Sequence, residues 1–503
     1  MTLDPAASPA PASTVASPRP AAPAAPAVPV APTIATTAPS TSAIAPQGTP
    51  ATRLSGNLAQ ALGAAGAALA RVARGSALDR ALDATASALN PAERAAAQDI
   101  AYSACRRLNL LDAIAARLMS KPNAEVDYLI RAALSELIDH SEARAHTITD
   151  QAVVCAAGLA QGAFKGLVNG VLRRFLRERE ALLSALLSDE ALRLAYPRWW
   201  IDRVRDAWPA HWQPVLDAGN HAPAMTLRVN LRRCSVEAYA ATLDAAGIAA
   251  HRTGPVALTL ERAIPVARLP GFAEGLVSVQ DLGAQWAAHL AAASLPAVSA
   301  AAPGAATADP PVPPLRILDA CAAPGGKSAH LLELLDCALT ALDNDARRLD
   351  TVKRNLNRLG LEAHCHAADA SKPDAWWDGV PFDFVLVDAP CTASGVVSRH
   401  PDGKWLKRAS DSAQLARIQR RLLDALWRTV KPGGTLLYAT CSLFPAENAL
   451  QFEAWLSTHP DAQQCPLPIA HPSLAPHALH WHDGQLLPGA RHGGFFYALA
   501  RKA

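Results

Sequence analysis

The sequence predicts an α/β protein whose C-terminal part is a Rossmann-like, doubly wound parallel sheet with an all-α region upstream. Three observations carry this. The apolar run Leu315 to Leu318 breaks into the turn Asp319-Ala320-Cys321-Ala322-Ala323-Pro324-Gly325-Gly326, after which Lys327 to Leu335 has helical apolar spacing. Downstream, strand-like and helix-like segments alternate, and the strands end in polar or sulfur-bearing residues. Upstream, residues 67–185 read as amphipathic helices.

Taken in chain order, the first segment differs from the rest. Twelve of the first fifty residues are proline, and alanine, serine and threonine fill most of the remainder, so nothing can build a core. Residues 1–66 are expected to be a disordered tail. Asp4 comes early and prolines interrupt every apolar run, which argues against a signal peptide. Helical spacing then appears in Asp99 to Leu118, Ala124 to Leu137 and Ile148 to Ala160, and a helix from Gly166 interleaves Arg173, Arg174 and Arg177 with apolar residues. A proline- and alanine-rich stretch, residues 299–314, is expected to be a linker to the sheet domain of residues 315–503.

Composition excludes several classes. At 503 residues, 50% hydrophobic and 18% charged, the chain is globular rather than disordered. No segment has the roughly 18 to 20 uninterrupted apolar residues of a membrane span. Its nine cysteines include no C-x-x-C pair, which fits a reducing, cytoplasmic compartment. His364-Cys365-His366 alternates across a strand, with no second ligand pair at zinc-like spacing, so no metal is expected. A net charge of +3 is too mild to predict a nucleic-acid partner by itself.

The turn after Leu318 marks a nucleotide-type cofactor site. Gly326-Lys327-Ser328 fails as a P-loop because Cys321 stands where the first glycine belongs, and the dinucleotide fingerprint is absent. After the strand Cys337 to Leu342 comes Asp343, placed to accept from two ribose hydroxyls. With no diphosphate cradle, adenosine carrying a sulfonium amino acid fits better than a dinucleotide. Further strands near Ala363 to Ala367, Phe382 to Val387 and Thr435 to Ala439 end at Asp369, at Asp388-Ala389-Pro390-Cys391 and at Thr440-Cys441-Ser442. Helical patterns at Arg347 to Leu359, Ser412 to Val430 and Ala446 to Thr458 separate or follow them. One crevice at the strand ends would hold Asp343, Asp369, Asp388, Cys391 and Cys441.

Asp388-Ala389-Pro390-Cys391-Thr392-Ala393-Ser394-Gly395, then Arg399-His400-Pro401-Asp402 with Lys404-Trp405, then Thr440-Cys441-Ser442 with Glu447-Asn448, resembles the RNA cytosine-5 methyltransferases. Over roughly residues 70–503 the chain is most similar to the bacterial 16S rRNA branch, in which a NusB-like helical domain precedes the catalytic part. The resemblance implies a NusB-like RNA-binding domain at 67–185, a small α/β RNA-presenting subdomain at 186–298, a lengthened linker and a methyltransferase sheet. It implies S-adenosylmethionine as cofactor, held by Cys321, Ala322, Ala323, Pro324, Gly325, Gly326, Lys327, Asp343, Asp369 and Asp388. The partner would be 16S rRNA, naked or in an early small-subunit particle, with no membrane and a monomeric chain.

The chemistry explains two cysteines beside a methyl donor. Carbon 5 of cytosine is a poor nucleophile until a thiolate adds at carbon 6, and loss of the carbon 5 proton after methyl transfer expels the thiol. Asp388, hydrogen-bonded at nitrogen 3 and the exocyclic amine, would stabilise charge developing on the ring. Spacing leaves either cysteine free to attack, and the Pro-Cys context of Cys391 is the one DNA cytosine methyltransferases use. The resemblance assigns attack to Cys441 and product release to Cys391. Alternatives are the same chemistry on tRNA, or a non-catalytic RNA-binding assembly protein.

Basic residues expected along the crevice as phosphate contacts are Arg347, Arg348, Lys353, Arg354, Arg399, His400, Lys404, Lys407, Arg408, Arg417, Arg420 and Arg421. Trp405 is a candidate to stack an unpaired base or to lie in the core. One departure stands out: where the family has Asp-Gly-Phe-Phe, this chain has Gly493-Gly494-Phe495-Phe496, without the carboxylate.

Overall fold

Seven helices lead the described residues: α1 (Leu58–Ala73), α2 (Leu78–Ala86), α3 (Pro91–Arg106), α4 (Leu108–Leu118), α5 (Asp127–Asp139), α6 (Glu142–Ala157) and α7 (Lys165–Leu186). This computed structural model describes residues 57–121, 123–295, 314–477 and 479–503, all within one compact unit spanning Pro50–Ala503. Helix α1 forms the centre because Leu58, Ala61, Leu62, Ala65, Leu69 and Val72 recur every three or four residues and all are buried. Asn57 caps it, its side chain accepting from the Ala59 N–H. The tail expected to reach residue 66 is therefore shorter, since residues 58–66 are core helix; its remainder, residues 1–56, lies outside the described residues, as does the expected linker apart from Pro314. The helix read as continuous from Asp99 to Leu118 breaks at Arg107, whose φ of −126° and ψ of 30° end α3. On α7, Val168, Val171, Leu172 and Phe175 are buried while Arg173, Arg174 and Arg177 are exposed.

The described residues from 186 to 295 fall into two parts. The short helices α8 (Glu190–Leu194), α9 (Arg198–Ala207) and α10 (Trp212–Ala218) bury Tyr196, Trp200, Ile201 and Val215 against Val397, Leu443 and Phe444 of the sheet domain. A four-stranded antiparallel sheet follows, built from β1 (Thr226–Val229), β2 (Ala250–Arg252), β3 (Ala257–Leu260) and β4 (Val277–Val279), with α11 (Val236–Ala245) between β1 and β2. Its strand order is β2-β3-β1-β4. Helix α12 (Leu282–Ser294) then leaves it, burying Trp286 and Leu290 in the core of the larger sheet.

That sheet holds nine described strands: β5 (Leu315–Asp319), β6 (Cys337–Asp343), β7 (His364–Ala367), β8 (Phe382–Asp388), β9 (Val430–Thr440), β10 (Ala462–Cys465), β11 (Trp481–His482), β12 (Gln485–Leu486) and β13 (Phe495–Lys502). Its helices are α13 (Gly326–Leu334), α14 (Ala346–Leu359), α15 (Gly403–Leu406), α16 (Asp411–Trp427) and α17 (Ala449–Leu456). The order β7-β6-β5-β8-β9 is parallel throughout, and β13 adds antiparallel to β9, so the strand order reverses between β5 and β8. Alternation sorts the side chains. Ile317, Phe384, Leu386 and Leu437 face α12, α13 and α14, whereas Leu318, Val385, Val387 and Leu436 face α16 and α17. Both faces are covered, and the carboxyl ends of β5 and β8 flank the crevice where ligands of such sheets sit.

Candidate active site

The turn after β5 is held tightly. The Ala322 N–H donates to Leu342 O at 2.7 Å and the Gly325 N–H to Ala322 O at 2.7 Å. Gly325 has φ +97° and a Cβ there would sit 3.1 Å from the Val352 backbone, so glycine is required by both conformation and space. Asp343, ending β6, is buried; it accepts from the Ala323 N–H at 3.2 Å and the Asp345 N–H at 3.0 Å, with Arg348 Nη1 at 3.3 Å. Arg348 also donates to Ala323 O, so this arginine braces the turn instead of standing free for phosphate. Asp369, which follows β7, is half exposed, accepts from the Ser371 N–H and hydroxyl, and pairs with Lys372, contacts that hold its carboxyl below the usual range.

Lys327, the second residue of α13, reaches across the switch point to Asp388 at the end of β8, Nζ to Oδ2 2.6 Å. Burial pushes the ammonium down, but the Asp388 charge and hydrogen bond more than reverse this, leaving it raised and charged. Burial together with the carboxylates of Asp388, Asp319 and Asp343 pushes the Cys321 thiol up. Beyond Asp388 the chain turns through Cys391, and β9, parallel to β8, ends at Thr440 and delivers Cys441. The two sulfurs lie 3.4 Å apart. The hydrogen bond to Cys441, then burial and the electrostatic influence of Cys441 and Glu447, push the Cys391 thiol well up, so Cys391 keeps its proton within reach of the Cys441 sulfur.

Several expected phosphate contacts lie elsewhere. Lys404 on α15 is 0% exposed: its ammonium donates to Arg106 O at 3.1 Å, to Ala195 O at 3.3 Å and to the Asn220 side chain, and sits 3.9 Å from the Tyr196 ring centroid. Trp405 donates from Nε1 to Cys105 O at 2.7 Å and packs on the helical core. Asp402 accepts from the Leu78 N–H, and Arg106 donates to Ser398 O. The Arg399 to Trp405 motif thus clamps the sheet domain to the helices. Arg399 itself pairs with Asp281 at 2.8 Å. Asp281 also accepts the Gly493 N–H with both oxygens, at 3.1 and 3.0 Å, so a carboxylate does lie beside the position where the family's aspartate is missing.

Sequence reasoning overlooked Arg228. It is 1% exposed on β1 and forms a two-pronged pair with Glu333 of α13 at 2.8 and 2.7 Å, while Nη1 donates to Gln280 Oε1 at 2.5 Å and Gly326 O at 2.7 Å. No local pattern signals this, because Arg228 and Glu333 meet only through the packing of two sheets.

The crevice suits a cationic nucleoside better than a phosphorylated one. Asp343, Asp369 and Asp388 follow successive strands, and the lysine of the turn is paired with Asp388, so carboxylates dominate the lining. A sulfonium and an ammonium group match such a lining.

Comparisons with known proteins agree with this geometry. The 16S rRNA methyltransferase RsmB/F family profile matches residues 306–501, the RsmF/B-like ferredoxin-like domain residues 196–267, and the NusB family residues 59–177. The chain is 41% identical over 418 residues to "Ribosomal RNA small subunit methyltransferase B" of Pasteurella multocida, covering 80% of this chain and 87% of the relative. The proteins of the same description from Vibrio cholerae and Pseudomonas putida are 40% and 41% identical, covering 85% and 86% of this chain and 94% and 97% of theirs. The crystal structure of PH0851 shares the fold, with a TM-score of 0.70 at 24% identity over 88% of this chain and 99% of that one. The chain therefore belongs to the RsmB/F family of 16S rRNA methyltransferases, with S-adenosylmethionine as its methyl donor.

Proposed function

We propose that this protein methylates carbon 5 of a cytosine in 16S rRNA through a covalent bond between Cys441 and carbon 6. The observation that carries the reading is the pair of thiols 3.4 Å apart at the end of the strand pair β8 and β9, beside the Lys327–Asp388 pair. Cys391 holds its proton within hydrogen-bond reach of the Cys441 sulfur, and the thiolate is the form of a cysteine that attacks. Asp388, fixed by the Lys327 ammonium, meets the pyrimidine edge at nitrogen 3 and the exocyclic amine, where charge develops as the sulfur adds. S-adenosylmethionine, when bound by the turn after β5 and by Asp343 and Asp369, supplies the electrophilic methyl group. The carbon 5 proton then leaves to solvent water, its electron pair re-forms the ring double bond, and the bond from carbon 6 to Cys441 breaks with the pair staying on sulfur, a departure that the Cys391 S–H assists by donating a hydrogen bond to the leaving thiolate. The target base must leave its stack to reach a half-buried sulfur, and the exposed arginines 173, 174 and 177 of α7 offer phosphate contacts for the surrounding RNA.

The test supplies labelled S-adenosylmethionine with 16S rRNA, small-subunit particles or tRNA, followed by digestion to nucleosides. Labelled 5-methylcytidine in rRNA, lost in Cys441→Ala and replaced by a persistent protein–RNA adduct in Cys391→Ala, is the expected result. Label confined to tRNA, or label that survives Cys441→Ala, would overturn the proposal, and no label in any RNA would favour a binding role in ribosome assembly.

A further inference from the structure

Behind the two thiols lies a carboxylate with no part in the reaction above. Glu447 is 0% exposed, in the turn Pro445–Glu447 that follows Cys441. Its Oε1 accepts from the Thr392 hydroxyl at 2.7 Å and the Ser442 hydroxyl at 2.9 Å. Its Oε2 accepts from the Thr392 N–H at 2.8 Å and from Gln419 Nε2 at 3.4 Å. Thr392 is the residue after Cys391, and Ser442 is the residue after Cys441. One side chain therefore grips the backbone next to one thiol and the side chain next to the other. The surroundings keep it in place: Tyr438 donates its hydroxyl to Glu447 O at 2.6 Å, and Asn448 donates to Ser442 O at 2.9 Å.

The charge is what makes the grip work. Four donors converge on two oxygens; burial raises the carboxyl above its ordinary value, and those hydrogen bonds offset part of the rise. An ionised carboxylate accepts all four; a neutral side chain cannot. A glutamine would have to turn its NH2 towards the Thr392 and Ser442 hydroxyls, which can rotate to accept it, because the Thr392 N–H cannot. Both loops would then be held by neutral hydrogen bonds in place of charge-assisted ones, and the pull between them would weaken.

We infer that Glu447 is a positioning residue that sets the separation of Cys391 and Cys441 by tying together the two loops that carry them. Its catalytic meaning rests on the cysteine chemistry proposed above; the thiol pairing itself does not. The separation matters because an S–H donor loses its effect on a neighbouring thiolate once the sulfurs part by more than about hydrogen-bond range.

The experiment uses the full chain and two probes. Phenylarsine oxide, a trivalent arsenical that bridges two neighbouring thiols, is titrated against wild type, Cys391→Ser, Cys441→Ser, Glu447→Gln and Glu447→Ala. Expected is a bridged species that needs both cysteines and whose affinity falls roughly tenfold or more in Glu447→Ala, the weight of one charge-assisted hydrogen bond, with a smaller fall in Glu447→Gln. The second probe is 16S rRNA carrying 5-fluorocytidine, where fluorine replaces the proton that must leave, so the carbon 6 to sulfur bond persists. Adduct formation should slow in both variants through kcat, with KM for RNA and the dissociation constant for S-adenosylmethionine unchanged. Should Glu447→Ala fail to fold, Glu447→Gln, which keeps the Thr392 N–H bond, carries the test. Bridging as tight in the Glu447 variants as in wild type overturns the inference, as does a rate loss that appears only in KM. Bridging in wild type without any trapped RNA would instead sink the proposed reaction and leave the pairing role standing.

Discussion

Replacing Arg228 with methionine removes a guanidinium that is 1% exposed and leaves Glu333, 2% exposed at its side chain, as an unpaired charge between two sheets. Four donated hydrogen bonds disappear: two to Glu333, one to Gln280 and one to the Gly326 carbonyl. Breaking a buried ion pair from one side costs about 3–5 kcal/mol, most of it the stranded partner rather than the lost attraction. Arg228→Met should fall in that range by urea unfolding followed by circular dichroism. Arg228→Met combined with Glu333→Leu should recover most of it, since a buried pair exchanged for apolar groups of similar size is often neutral. The Gly326 carbonyl adds a second readout. One neutral hydrogen bond is worth about 1 kcal/mol, so losing this anchor of the donor turn should weaken S-adenosylmethionine by roughly fivefold in calorimetric titration, in both single and double variants. A single variant within about 1 kcal/mol of wild type, or a double variant no better than the single, would refute the idea that Glu333 is cut off from water.

Three further outcomes follow from the site. Lys404→Met should destabilise the chain while leaving the slope of log binding constant against log salt unchanged for RNA; a true phosphate contact such as one expected at Arg417 or Arg421 would lower that slope by roughly 0.7 to 0.9 per charge when mutated. Gly493→Asp should lower stability by about 1–3 kcal/mol in thermal unfolding, because a Cβ there lies 2.8 Å from Val396 Cγ1 and 3.3 Å from Asp281 Oδ2, and a second carboxylate would face Asp281. Asp319 is buried and its carboxyl is pushed up to about 6, chiefly by burial. A raised carboxyl holds its proton longer in the folded state, so this group should make the fold lose stability as pH rises from about 4 to 6; Asp319→Asn should remove about 2–3 kcal/mol of that decline in the unfolding free energy measured with urea.

The sheet domain was legible because its signals are local. Leu315 to Leu318, Cys337 to Leu342 and Phe382 to Val387 are apolar runs bounded by turn residues, and each is a strand within a residue of its expected ends. The donor turn was legible for the same reason, as Gly325 and Gly326 sit where strand gives way to helix. What failed was non-local. Lys404 read as a phosphate-facing cation because residue type favours that role, and Trp405 stayed open between stacking a base and lying in the core, because the carbonyls of Cys105, Arg106 and Ala195 that satisfy them come from distant parts of the chain. The break at Arg107 was hidden because apolar spacing continues through it. Residues 58–66 share the alanine-rich composition of the tail, and only the absence of proline and the regular placement of Leu58, Ala61, Leu62 and Ala65 distinguish them. Glu447 was visible as part of a motif, but its four donors come from Thr392, Gln419 and Ser442, so its task could not be read from spacing.

The clamp from Asp402 to Trp405 also bears on how such a chain can change over generations. A domain joined only by a linker can be traded for another by recombination, but here the helical domain lends backbone carbonyls to a lysine and an indole that belong to the sheet domain. A transplanted sheet domain would present Lys404, Trp405 and Leu406 to water, and a transplanted helical domain would meet a partner with no matching groove. The two halves are therefore constrained to be inherited together, and substitutions at Cys105, Arg106 or Tyr196 should be tolerated only alongside matching changes in the Asp402–Leu406 segment.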